Sequence, residues 1–269
     1  MSAVLVLVDK RLRLMGCLLA AGDWPEREQA QKAYRPHRLA ETARRVLAPR
    51  REHAAAQAAR ALDPQQLFKH ALGRDWPEGL AERVDDFAAT AEVEQFCAET
   101  DADWQAARAD LESVLARADL AGFLAGLLGG LEQTLVVHPN LLFPGRQPLA
   151  VRAADQIVLS QPPPLAWGTS APWRYNERPD EVLGAVGEGL ARPLFEQAGV
   201  DEPAVLALAA AVLVLRQVEG AQAADQFMLM EGRARKLPQL PGLVDSLERR
   251  QSFNRKDRDP RGEPGAGER

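Results

Sequence analysis

Glu188 sits in the run Gly187-Glu188-Gly189-Leu190-Ala191, and its neighbours decide what chemistry it could do. A helix reading His-Glu-x-x-His places two imidazoles one turn apart to hold zinc, with the glutamate set to take a proton from metal-bound water. Here the acid occupies its place in that five-residue frame, while both ligand positions carry residues without a donor atom. One match in a frame this short decides nothing by itself. Two roles are open to Glu188. Val182, Val186, Leu190 and Leu194 form an apolar stripe, and Glu188 lies nearly opposite it, since two residues turn a helix by about 200°. Arg192 follows at i+4, the spacing of a solvated surface pair. In the other role Glu188 is a residual acid in a cleft.

The remaining reactive residue types are sparse. His37, His53, His70 and His138 contain no i,i+4 pair and no Cys/His cluster, so each is expected to be a surface or structural histidine. Cys17 and Cys97 are too few for a disulfide framework and sit among apolar neighbours, which reads as small buried side chains in a reducing compartment. No Gly-x-Ser-x-Gly elbow, phosphate loop or dinucleotide Gly-x-Gly-x-x-Gly turn occurs, and Gly184 to Gly189 opens no strand-to-helix turn. No cofactor and no metal is expected. Binding candidates come from the loop QPPPLAWGTSAPWRYNERP, where Trp167, Trp173 and Tyr175 either line a groove or pin a proline-rich segment onto the fold. Arg192 and His138 complete the candidate set.

The elements that must position these residues are mostly helical. Leu12, Met15 and Leu19 share a helical face, as do Leu39, Ala43, Val46 and Leu47; Leu80, Val84 and Phe87; Trp104, Ala107, Leu111, Val114 and Leu115; and Leu120 through Leu131. Val4 to Val8 is the one early strand. After Gly130, Thr134 to His138, Leu149 to Val151 and Gln156 to Ser160 are short β-prone pieces that predict a small sheet of three or four strands. Helices resume over roughly 180–197, 203–219, 222–234 and 239–250. The expected fold class is α+β, predominantly helical, with residues 1–130 as a helical half, 131–250 as sheet plus helices in one compact unit with it, and 251–269 as a charged tail expected to be disordered.

The 269 residues suffice for a full-sized core, and 46% hydrophobic with 26% charged residues is an ordinary globular balance. A net charge of -5 argues against a dedicated nucleic-acid binder, whose affinity rests on clustered cations. The N-terminal segment lacks the long apolar centre of a signal peptide, and the longest apolar run, Ala204 to Leu215, is too short to cross a bilayer. The expected setting is the cytoplasm, with no membrane partner.

In element order over about residues 4 to 250, the chain resembles bacterial gluzincin-type proteins known mainly as a domain of unknown function. The local likeness lies in DLAGFLAGLLG, the following TLVVHPNLLFPG, and AVGEGLARPLF at the place of the zinc helix. The resemblance implies a zincin-like fold and a third zinc ligand, a Glu, on the next helix. Pro203 to Val218 holds no acid, only Arg216 and Gln217 as polar groups, so all three implied ligands are missing. The expectation is a non-catalytic, pseudo-metallopeptidase protein that binds a protein or peptide partner or serves a structural role. The alternative is a metal-dependent hydrolase with a non-standard site built from dispersed residues such as His138, Glu177 and Glu188. The small residues Gly184, Gly187 and Ala191 form a seam that is expected to close against the next helix, where the metal would otherwise sit.

Overall fold

A computed structural model describes residues 3–258 of the chain, apart from 167 and 169. Among them thirteen α-helices surround one four-stranded sheet, an α+β fold that is predominantly helical. Nine helices precede the sheet strands of the middle of the chain: α1 (Lys10–Ala21), α2 (Trp24–Gln31), α3 (Arg38–Leu47), α4 (Ala54–Ala59), α5 (Pro64–Gly73), α6 (Leu80–Thr90), α7 (Val93–Glu99), α8 (Asp101–Leu115) and α9 (Leu120–Leu128). Helices α3, α6, α8 and α9 follow the apolar stripes. Helix α5 instead announces itself by its start: Asp63 accepts from the Gln66 backbone N–H at 2.8 Å, Gln66 reaches back to the Asp63 N–H, and Pro64 supplies the first helical φ. Helix α9 ends at Gly129, whose φ of 80° is left-handed backbone that glycine adopts without a Cβ clash.

The sheet contains β1 (Leu5–Val6), β2 (Thr134–Pro139), β3 (Leu149–Ala153) and β4 (Gln156–Gln161), in the spatial order β1-β2-β4-β3. Strands β1, β2 and β4 run parallel, and β3 closes the edge antiparallel to β4. The alternation of side chains fixes what each face can carry. Val137, Leu159, Ala150, Ile157 and Arg152 share one face by register, while His138, Ser160, Val158 and Val151 share the other. Helix α10 (Pro179–Gln197) lies on the first face, and Trp104 of α8 lies against His138 on the second. Burial of both faces explains why β2 and β4 are near-continuous apolar runs.

The early segment at residues 5–6 pairs with β2, and α5 packs on β3, so the first 130 residues and the rest share one core. Beyond α10 follow α11 (Pro203–Val218), α12 (Ala221–Arg235) and α13 (Leu240–Arg258). Ala207 through Leu215 of α11 are all buried, as an apolar run without a polar face requires. Helix α13 continues past the expected start of the tail: Gln251 is buried, and its side-chain oxygen accepts from Gln217 at 3.5 Å. Residues 251–258, expected to belong to a disordered tail, are instead helical, and residues 259–269 are outside the described part. Among the described residues no helix is long and apolar enough to cross a membrane.

Candidate functional site

Helix α10 owes its place to two glycines. A Cβ at Gly189 would lie 2.6 Å from Leu159 Cδ1 and 3.0 Å from Cδ2, so only glycine lets the helix approach the sheet this closely. On the other side, a Cβ at Gly187 would stand 3.5 Å from the Ala211 Cα, so the helix meets α11 backbone to backbone. Gly184, Gly187 and Ala191 are all buried in the contact of α10 with its neighbours, and the expected small-residue seam is present. At Gly184 a Cβ would meet Phe227 of α12 at 2.9 Å.

Glu188 points the other way, into a groove of about 530 Å³ between α10, the β3 edge and α5. Its carboxylate is held by both terminal nitrogens of Arg235, at 2.5 and 2.9 Å, from the last turn of α12. The expected partner was Arg192; that expectation is corrected, since Arg192 pairs with Glu196 at 2.9 Å, one turn further along. Arg235 wins because it delivers two parallel N–H groups in one plane, a geometry that fits a carboxylate better than a single i+4 contact. The same bond raises the Arg235 pKa above its ordinary value, and Glu231 adds a second carboxylate to its Nε at 2.8 Å.

Four cationic side chains, Lys69, Arg152, Arg192 and Arg235, face two acidic ones, Glu188 and Glu196, across this groove. Both acids are already engaged, whereas Lys69 and Arg152 hold no ion pair or hydrogen bond among the described residues. Ala150 C=O accepts from Gln65 Nε2 at 3.0 Å, outside the sheet, so Ala150 and Arg152 turn their amide groups away from β4. Pro193 has no N–H, which leaves the Gly189 carbonyl without its helical donor. The Gly189 carbonyl and the outer edge of β3, partly covered by Gln65 of α5, thus line a cationic trough.

The other sequence candidates lie elsewhere. Tyr175 is 1% exposed; its hydroxyl donates to the Gln161 carbonyl at 2.6 Å and accepts from the Asn140 N–H at 3.2 Å. It pins the proline-rich loop to the ends of β2 and β4. Arg174 clamps the same loop through a two-pronged bond to buried Asp110 on α8, at 2.9 and 2.7 Å. Trp173, 40% exposed, stacks with Arg178 and borders a separate depression of about 320 Å³ together with Tyr175. Trp167 is outside the described residues.

His138 is buried between Trp104 and the start of α1. The Asp9 N–H can only donate, so its 3.1 Å contact makes Nδ1 the acceptor and puts the ring proton on Nε2. In that form the Leu7 carbonyl, 3.2 Å from Nδ1, is a neighbour rather than a partner. Burial pushes the His138 pKa down to about 4. Glu177 meanwhile accepts from the Arg174 N–H at 2.7 Å. His138, Glu177 and Glu188 therefore serve three different neighbourhoods, and no group of three or more His, Cys, Asp or Glu could share a metal ion among the described residues. The other histidines are structural: His37 and His53 cap α3 and α4, and His70 contacts the Asp75 carbonyl.

Reading the sequence overlooked Arg235, Lys69, Arg152 and Gln65. Two signals were available. Gln65 and Lys69 are i and i+4 on the polar side of α5, opposite Leu67, Phe68 and Ala71. Arg152 interrupts an otherwise apolar strand. No family model, curated protein or solved structure matches this chain.

Proposed function

We propose that this chain is a non-catalytic, zincin-like protein of the cytoplasm that binds an extended acidic segment of a protein or peptide partner and leaves it uncut. The observation that carries the reading is the Glu188–Arg235 clamp. A general base must be free to take a proton from the nucleophile, and Glu188 is instead committed to a guanidinium that neutralises it. Positions 187 and 191, where the resemblance would place zinc ligands, face a closed seam rather than the groove. The dispersed alternative, a hydrolase using His138, Glu177 and Glu188, loses support because those residues serve separate neighbourhoods.

The groove supports a binding role by its chemistry. An extended chain laid along β3 would meet the outward N–H groups of Ala150 and Arg152, the mode in which a peptide adds a strand to a sheet edge, and would have to displace Gln65 to reach the Ala150 carbonyl. Lys69 and Arg152 would attract acidic side chains, while basic segments would meet unpaired like charge. The test is fluorescence anisotropy with a labelled alternating Val–Glu peptide and its Val–Lys counterpart. The Val–Glu peptide should bind the native chain, and Lys69→Glu with Arg152→Glu should weaken it by at least about tenfold, equivalent to about 1.4 kcal/mol. Equal affinity for both peptides, or none for either, overturns the reading.

A further inference from the structure

The last turns of α12 and the first turn of α13 border an open groove of about 540 Å³ whose apolar lining includes Met228, Leu229, Leu237 and Leu240. Arg233 and Lys236 are its charged lining residues, and no acid joins them among the described residues. Neither holds an ion pair or a side-chain hydrogen bond among those residues, whereas Arg235 of the same turn is committed to Glu188. Leu229 and the adjacent Met230 are each 54% exposed, large apolar side chains left in water. The backbone at the bend between the helices has spent its donors. Pro238 and Pro241 have no N–H, while the N–H groups of Lys236, Leu237 and Leu240 donate to the carbonyls of Arg233, Gly232 and Leu237 at 3.3, 2.8 and 3.2 Å.

We infer that this groove docks an acidic amphipathic helix of a partner protein, at a place separate from the Glu188 groove and independently of it. The backbone selects a helix over a strand. A segment that enters an apolar groove offering no backbone donors must satisfy its own N–H and C=O groups, and a helix does so internally. The β3 edge is the converse case, since its outward N–H groups suit an extended chain. Charge selects the acidic partner. Carboxylates flanking the apolar stripe of the incoming helix would pair with Arg233 and Lys236 without breaking any ion pair that these two already hold. A second copy of this chain docking through the same face would bring its own Arg233 and Lys236 against the first pair, like charge on like charge. Met228, an unbranched and polarizable side chain, lets the lining adapt to the apolar anchors.

The test titrates the full chain into a fluorescein-labelled helical peptide of about 18 residues, with Leu at i, i+3, i+4 and i+7 on one face and Glu on the other. A counterpart carries Lys in place of every Glu. The Glu helix should bind one to one and the Lys helix at least about tenfold more weakly. Arg233→Glu with Lys236→Glu should reverse that preference, a gain of binding that a misfolded variant could not give. Leu229→Asp should weaken the Glu helix by at least about tenfold, and Lys69→Glu with Arg152→Glu should leave it unchanged. Equal affinity for both helices, or none for either, overturns the inference. Loss of binding only in the Lys69 and Arg152 variant would put the helix in the Glu188 groove and overturn this inference alone. Adsorption to phosphatidylglycerol vesicles without peptide binding would make the face a membrane contact instead, and a dimer abolished by Leu229→Asp would make it a contact between copies; either result overturns the inference.

Discussion

Two glycines of one helix, Gly187 and Gly189, should respond to alanine with opposite sign. At 187 the added methyl meets Ala211 and Val214 at ordinary contact distances, so the gain in helix propensity dominates and Gly187→Ala should be neutral or stabilising by up to about 1 kcal/mol. At 189 the methyl would overlap both ends of Leu159, itself enclosed in the core, and Gly189→Ala should cost about 1–3 kcal/mol. Urea unfolding of the two variants distinguishes them; destabilisation by both would mean that the α10–α11 seam is tighter than described. His138 makes a second residue-scale prediction. Its folded pKa of about 4 lies below the ordinary value near 6.5, so the unfolded chain takes up the proton first. Stability should fall as pH drops from about 6.5 to 4, by at most about 3 kcal/mol from this group, and this loss should level off below 4. His37, also lowered to about 4 by burial, adds in the same direction. An NMR titration showing the His138 ring already charged at pH 5.5 would contradict the enclosed, neutral imidazole.

At the scale of elements, the seam between α10 and α11 was legible in the sequence because its signal is local. Gly184, Gly187 and Ala191 recur at helical spacing, and the apolar run of α11 has no side to give to water. The strands were legible for the same reason, as short β-branched runs between Gly and Pro. The partner of Glu188 was not. Arg235 arrives from α12, 47 residues away, and only the fold-back of that helix places it there; no periodicity encodes it. Local spacing pointed instead to Arg192, which found a neighbour of the same kind at i+4. The seam itself predicts the fate of restored ligands. Gly187→His with Ala191→His would drive two imidazoles into contacts already closed by Ala211 and its neighbours, at about 1–3 kcal/mol per site. Thermal denaturation with and without zinc reads this directly. The double variant should melt lower than the parent in both conditions, whereas parental stability with a further gain on adding zinc would mean an open pocket.

For the molecule as a whole, charge must be read by place rather than by sum. The chain carries a net charge of -5, which argued against a dedicated nucleic-acid binder but concealed a groove with more cations than acids. Local fields of this kind are focused by the low-dielectric walls that hold them, so an acidic chain can still select an acidic ligand. Composition has no term for that arrangement, since Lys69 comes from α5, Arg152 from β3 and Arg235 from α12. The edge of β3 and the committed carboxylate of Glu188 border one groove, while the loop pinned by Tyr175 and Arg174 borders another; the proposed binding role rests on the first. Native mass spectrometry of the full chain, incubated with equimolar zinc and the Val–Glu peptide, tests this most directly because one spectrum reports metal, ligand and peptide integrity. The expected result is a one-to-one complex with the intact peptide and no zinc-dependent fragments; peptide cleavage, or a stoichiometric zinc complex that turns the peptide over, would contradict it.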